Sequence, residues 1–189
     1  MVVMEFFPSL QLTFFGGWLL LIWIWIIQPL ILIVVPKDVR ARLLDRSTFN
    51  RTQWLLTGIS KTIVLLVQII IIVTPLAIES FEFLIGLTLF TLGMIGEVIA
   101  VINFVTTPLD EPVTRGLYRI SRNPQETMLS VAIFGACIAV GSWFLFLLFG
   151  FSRIFNHVHI IAQEQACLKE YGEAYHDYMK KTPRYFLVF

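Results

Sequence analysis

Long, nearly uninterrupted apolar stretches dominate this 189-residue chain and restrict its fold more than any other feature. The hydrocarbon core of a bilayer takes roughly 20 apolar residues of helix, and only helices or closed barrels satisfy the backbone polar groups inside it. The stretches are continuous and do not alternate with polar residues, which favours helices over strands. With 57% hydrophobic and 14% charged residues, the chain is predicted to be an all-α integral membrane protein.

We predict five transmembrane helices within a single membrane domain that covers residues 1–189. The last two come from one apolar stretch that we divide at Gly141-Ser142, so that they form a tight helical hairpin. Four spans, with one long bent helix in place of the hairpin, are the alternative. The approximate bounds are Leu10–Val35, Trp54–Ile78, Phe81–Val105, Glu126–Val140 and Trp143–Ile161.

The distribution of lysine and arginine predicts a multi-pass protein with its N-terminus outside and its C-terminus in the cytoplasm. The loop Thr74–Glu82 contains neither residue type. We also expect the first apolar stretch to be retained as a span, because no positive segment precedes it as in a cleaved signal. Basic residues lie near the first loop, before the fourth span and after the fifth: Lys37, Arg40, Arg42, Arg46, Arg51, Lys61; Arg115, Arg119, Arg122; Lys169, Lys180, Lys181, Arg184.

The segment after the fifth span is predicted to form a C-terminal amphipathic interfacial helix that begins at Glu164. Leu168, Tyr171, Tyr175 and Tyr178 recur at helical spacing and give it an apolar, aromatic face. Together with the polar segment 119–126, this helix would lie at the cytoplasmic face. Two polar segments that converge at one membrane face form a candidate site.

Several polar side chains fall inside the predicted spans, where such groups usually face the bundle interior and pair with one another. Glu97 in the third span and Arg153 in the fifth are predicted to form a buried ion pair. The three glycines of the third span would allow a helix of the same bundle, or of a second copy, to approach closely. These glycines are Gly86, Gly93 and Gly96.

Other function classes find no support in the sequence. The net charge of +1 and the lack of a basic, aromatic array give no reason to expect a nucleic-acid partner. Cys137 and Cys167 form no ligand pattern, and His157 and His159 diverge on a helix, so we expect no metal site. No GxSxG nucleophile motif is present.

Two motif blocks carry a family resemblance. The sequences TRGLYRISRNP (114–124) and EQACLKEYGEAYHDYMKKTPRYF (164–186) flank the apolar hairpin. Their order and spacing resemble the isoprenylcysteine carboxyl methyltransferase and phospholipid methyltransferase superfamily over about the last 75 residues. The resemblance implies an integral-membrane methyltransferase that uses S-adenosylmethionine and acts on a lipophilic acceptor from the bilayer. Residues 106–189 would be the cofactor-binding half, and residues 10–105 three generic spans.

The resemblance also implies which side chains hold the cofactor. Gly116 permits a tight turn, Leu117 and Tyr118 offer an apolar wall for an adenine, and Pro124 suits the first position of a helix. Glu164 could accept hydrogen bonds from the cofactor and favour its sulfonium charge. The implied cofactor-binding set is Gly116, Leu117, Tyr118, Arg122, Asn123, Pro124, Glu164 and Tyr175.

Departures from the family pattern bear on the acceptor. Glu126 replaces a tyrosine of the motif, Gln165 replaces the second of two acids, and His159 stands near where relatives often have an arginine. The acceptor would be a prenylcysteine-type carboxylate or a lipid amine headgroup, for which Glu126 could act as base or counter-ion. The candidate catalytic residues are Glu126, Arg153 and His159.

Two further functions remain open from the sequence. Membrane sterol reductases, which use NADPH, look similar in their C-terminal helices, although this chain has no obvious basic cluster for a 2′-phosphate beyond Arg115, Arg119 and Arg122. The altered motif positions also leave room for a non-catalytic membrane scaffold.

Overall fold

The computed structural model describes residues 4–186, and in this part of the chain every regular element is helical. Two isolated bridges, Glu5 to Ser142 and Gly16 to Pro75, are the β-type pairings there. The predicted all-α class is therefore confirmed. The elements are α1 (Trp18–Val34), α2 (Lys37–Leu43), α3 (Arg51–Ile72), α4 (Phe81–Val105), a 3₁₀ turn (Gly116–Arg119), α5 (Pro124–Ala139) and α6 (Trp143–Lys181).

Three helices, α3, α4 and α6, are long and apolar enough to cross a membrane. Helix α1 is apolar but shorter, and α5 has 16 residues. The protein is an integral membrane protein by this criterion, whereas the count of five spans and the orientation of the termini stay predictions.

Local capping signals explain where the helices begin. Asn50 and Gln53 form a reciprocal capping box at the start of α3, and the Ser80 and Ser142 hydroxyls accept from the third residues of α4 and α6. Pro124 occupies the first turn of α5, where a missing N–H is tolerated. Helix α4 has the predicted bounds for this reason: an N-cap precedes an unbroken apolar run.

The first span is shorter than predicted, because residues 10–17 are not helical. They lie along the connection between α3 and α4 instead. There the Gln11 and Gly17 amides donate to the carbonyls of Val73 and Thr74 at 2.7 and 2.8 Å, and Phe15 accepts from Leu76 at 2.9 Å. These hydrogen bonds satisfy three of their backbone polar groups without helix formation.

Glycines allow α4 and α5 to pack backbone against backbone. A Cβ at Gly86 or Gly93 would collide with the backbone of Ala139 or Ala132, and one at Gly135 would collide with that of Phe90. Small residues at such positions permit close helix packing in a membrane, where apolar burial alone gives little preference for one partner. The small-residue face of α4 is used inside the bundle.

The other main helix pair is α3 with α6. This arrangement corrects the predicted pair of Glu97 with Arg153, because α4 packs against α5 and not against α6. Glu97 accepts a hydrogen bond from Gln28 of α1, and Arg153 lies 3.5 Å from Glu126.

The predicted start of a separate helix at Glu164 is also wrong. Helix α6 runs through this position without interruption, and its first non-helical residue is Gly172, with φ +53°. No earlier residue between Ile161 and Gly172 has the backbone freedom to reverse φ at low cost. Glu164, Tyr175 and Tyr178 are buried.

Replacing Gly93 with alanine should destabilise the protein by about 1–3 kcal/mol, because the added methyl group overpacks the contact between α4 and α5. The midpoint of thermal unfolding in detergent would measure this. Gly58 of α3 is the matched control, since a Cβ there meets nothing within 4 Å. Gly58→Ala should be neutral or stabilising by up to about 1 kcal/mol. Equal midpoints for the two variants would contradict the packing assignment.

Candidate functional site

A cavity of about 530 Å³ lies where the two motif blocks meet. Its walls come from α2, the segment from Phe104 to Glu126, and α6 from Gln163 to Tyr178. This volume is typical of small-molecule sites. Aromatic side chains supply much of the surface: Phe104, Tyr118, Tyr171, Tyr175 and Tyr178.

The Glu164 carboxylate lies at the centre of the site and has donors on both oxygens. Oε1 accepts from Arg122 Nε at 3.1 Å and from Asn123 Nδ2 at 3.0 Å. Oε2 accepts from Nε of Arg184 at 3.0 Å, and a second nitrogen of that guanidinium lies equally close. A carboxylate offers about four acceptor positions. The acceptor positions of Glu164 are thus occupied by donors from three neighbouring side chains, which it holds in place.

The chain after α6 closes this network. The Arg122 backbone amide donates to Pro183 at 2.9 Å, and the Ser121 hydroxyl donates to the Arg184 carbonyl at 3.0 Å. Hydrogen bonds to Glu164 raise the pKa of Arg184 above its ordinary value, so its positive charge is secure. Nearby, the Tyr185 hydroxyl lies 2.8 Å from Nδ1 of His157. Segment 182–186 is therefore part of the site.

A tight turn at Gly116 positions Tyr118, one of the aromatic residues that line the cavity. Gly116 has φ +59°, and a Cβ there would collide with the amide of Asn103 on α4. The same Asn103 amide oxygen accepts from the Leu117 backbone at 3.0 Å. The Tyr178 hydroxyl donates to the Tyr118 carbonyl at 2.6 Å. Burial raises the pKa of the Tyr118 phenol, which stays neutral.

Gln125 contributes a polar group whose hydrogen-bonding capacity is unused. Its side chain lines the cavity, and its amide nitrogen is buried without a hydrogen-bond partner among residues 4–186. A buried donor of this kind costs about 1–3 kcal/mol unless a ligand or water satisfies it. Gln125 is therefore a candidate ligand-binding residue.

Glu126 also lines the cavity and belongs to a second polar cluster. One carboxylate oxygen lies 3.2 Å from Lys61 of α3. The other lies 3.5 Å from Arg153 and accepts from Asn156 Nδ2 at 3.1 Å. Arg153 also approaches Ser130 at 3.2 Å. This cluster links α3, α5 and α6.

The residues predicted from the sequence fall into three groups. Gly116, Leu117 and Pro124 shape the backbone beside the cavity. Arg153 and His159 are not among the lining residues. His159 is buried with its ring 5.4 Å from that of Phe49. The cavity wall includes Tyr118, Arg122, Asn123, Glu126, Glu164 and Tyr175.

Several site residues escaped the sequence analysis. Helix α2 was not predicted, yet Arg42 lines the cavity and donates to the carbonyls of Pro108 and Glu111 at 3.1 and 2.7 Å. Arg184 was counted as a basic residue, with no signal that it pairs with Glu164. Lys61 offered a usable signal, because it is a charge inside a predicted span.

One exposed group of potential metal ligands lies on α6 beyond Gly172: Glu173, His176 and Asp177. None of the three lines the cavity. Exposed acidic groups are common without an ion, and this group carries no functional argument.

The family model for phospholipid methyltransferase matches residues 76–174. The chain belongs to this family. The match covers α4, the Gly116 turn, α5 and α6 as far as Ala174, and so contains the Arg122–Glu164 pair. It confirms the superfamily that the two motif blocks resemble and implies a membrane methyltransferase with a lipid-related substrate. No curated protein and no solved structure gave a significant match.

Glu164→Gln should lower the free energy of unfolding by about 3 kcal/mol or more, because it leaves the Arg122 guanidinium buried without its counter-charge. Both side chains of this pair are only 4% exposed. The thermal unfolding midpoint in detergent would measure the loss. Glu173→Gln is the control, since the Glu173 side chain is 94% exposed, and its effect should stay within about 0.5 kcal/mol. Similar small shifts for both would contradict a central role for Glu164.

Proposed function

We propose that the protein transfers a methyl group from S-adenosylmethionine to a lipophilic acceptor, with the cofactor bound in the cavity between the two motif blocks. The observation that carries this proposal is the convergence of the blocks on one cavity around the Glu164 carboxylate. Family membership supports methyl transfer at a membrane. The site would face the cytoplasm, as the distribution of basic residues predicts.

The lining of the cavity fits this cofactor. The buried Gln125 amide and the Arg122 guanidinium are suited to donate to its carboxylate, and the aromatic rings to pack against its adenine. Five carboxylates and two guanidinium groups line the cavity. Two of the carboxylates, Glu126 and Glu164, are paired with cations, and the other three form no salt bridge among residues 4–186, so these three favour cationic amino and sulfonium groups. The acids are Asp38, Asp45, Glu126, Glu164 and Glu170, and the bases are Arg42 and Arg122.

S-adenosylmethionine supplies an electrophilic methyl group on a sulfonium. The protein's own contribution is alignment and the exclusion of water. In this proposal Glu164 is a positioning residue, because its acceptor positions are filled by Arg122, Asn123 and Arg184. Tyr175 and Tyr178, with ring centroids 5.6 Å apart, offer aromatic faces that stabilise a nearby positive charge.

The acceptor would be a prenylcysteine-type carboxylate or a lipid amine headgroup. A carboxylate is already nucleophilic, whereas an amine must first be deprotonated. Glu126 and Arg153 are the proposed residues on the acceptor side, and they contact one another. His159 is buried with its ring against Phe49 and would act by supporting this part of α6.

An NADPH-dependent reductase and a non-catalytic scaffold remain as competing functions. The cavity's excess of carboxylates disfavours the 2′-phosphate of NADPH, which needs cationic partners. Ligand binding distinguishes the methyltransferase, the reductase and the scaffold. We expect calorimetry on the purified protein to show binding of S-adenosylhomocysteine and none of NADPH. Binding of NADPH alone would favour the reductase, and binding of neither the scaffold.

Gln125→Ala should weaken S-adenosylhomocysteine binding by about fivefold to tenfold, the loss of one buried hydrogen bond. Gln165→Ala is the matched control, because Gln165 is exposed on α6 and does not line the cavity. Unchanged affinity in Gln125→Ala would contradict a direct contact. A labelled-methyl assay on membranes that contain the protein, with identification of the labelled product, would test turnover and the acceptor.

A further inference from the structure

Lys61 is a charged residue in an apolar helix and is half-exposed on its surface. It comes ten residues after Arg51, the first residue of α3, which places it roughly 15 Å along the helix axis. Its side chain is 47% exposed. An ionisable group within a span is costly unless it is paired, and such groups usually mark a functional site.

The charges around Lys61 do not cancel. The Glu126 carboxylate lies between the Lys61 ammonium at 3.2 Å and the Arg153 guanidinium at 3.5 Å. The remaining close contacts are neutral, from Asn156 to Glu126 and from Arg153 to Ser60 and Ser130. Two cations against one anion leave a net charge of +1. A lysine ammonium has three donors, and Glu126 is the one hydrogen-bond acceptor seen for Lys61 in the described part of the chain.

The position of the cluster connects the membrane with the cavity. Helix α3 packs mainly against α6, and α5 mainly against α4. The Lys61 side chain crosses from α3 to the first turn of α5, where Glu126 also lines the cavity. Arg153 approaches the same carboxylate from α6, and its side chain is partly exposed. A lipid headgroup between α3 and α5 would therefore meet Lys61 and Arg153 next to the cavity.

We propose that Lys61 and Arg153 form a binding site for the anionic oxygen group of a lipid, at the point where the Lys61 side chain reaches the first turn of α5. This inference deepens the proposed function, on which it rests for the lipid's role as acceptor. Charge complementarity favours an anion, because a cationic headgroup would add a third positive charge beside a single carboxylate. The shared chemistry is a phosphate diester or a carboxylate on an acyl chain, and Glu126 competes with it for the two cations.

The test is a titration of purified protein in neutral detergent with short-chain phosphatidylglycerol, palmitate and a short-chain diacylglycerol, which is uncharged, with binding followed by native mass spectrometry. Lys61→Gln should weaken binding of the anionic lipids by about fivefold, the upper range for a partly exposed ion pair. Lys61→Arg should retain it. Glu126→Gln should strengthen it, because the net charge of the cluster rises to +2. A preference for phosphatidylglycerol over palmitate identifies a phosphate, and the reverse a carboxylate.

Lys180→Gln is the matched control, because it removes a lysine from an exposed ion pair with Asp177 at 3.0 Å. It should leave lipid binding unchanged. Equal affinity of wild-type protein and Lys61→Gln for both anionic lipids would overturn the proposal, as would tighter binding of the uncharged diacylglycerol. S-adenosylhomocysteine binding, measured in parallel, should be the same in Lys61→Gln as in wild type. If neither the wild type nor any variant binds S-adenosylhomocysteine, the proposed cofactor is refuted. The lipid-binding result would still test the anionic site, because it does not depend on the cofactor.

Discussion

The site depends on one buried carboxylate and the three side chains that it holds. Glu164 receives Arg122 and Asn123 from the start of α5 and Arg184 from the chain after α6. A buried carboxylate without such donors would be strongly unfavourable, so the network and the fold of these segments require one another. Polar contacts hold together the segments that form the wall of the cavity, whereas α4 and α5 pack backbone against backbone.

Glu164 and Glu126 differ in what surrounds them. Glu164 is enclosed and fully engaged by donors, which suits a group that maintains geometry. Glu126 is partly exposed, lines the cavity, and has partners on two other helices. By the resemblance, Glu164 matches the motif of the family and Glu126 departs from it. Under the proposed function, the cofactor side of the site is thus the more constrained of the two.

The sequence predicted the fold class and the motif blocks well because both depend on local signals. Helix α4 is bounded by an N-cap and a continuous apolar run, and Pro124 begins α5 as expected. Contacts between helices could not be predicted from such local signals. Glu97 contacts Gln28 because α1 lies beside α4 at that level, and no periodicity in either segment indicates which helix is its neighbour.

The sequence predicted that the fifth span ends at Ile161 and that a new helix begins at Glu164, whereas α6 continues through both. The residues change from apolar to polar near Ile161 because their environment changes, and the helix does not end there. Between Arg153 and Glu164, the continuous helix fixes the distance from one residue to another. Arg153 and Glu164 are eleven residues apart on one rigid rod, roughly 16 Å along its axis. The spacing between the cluster around Glu126 and Arg153 and the network around Glu164 is therefore fixed by residue count. A single-residue insertion between them would rotate one by about 100° relative to the other, so this stretch should tolerate substitutions far better than changes in length.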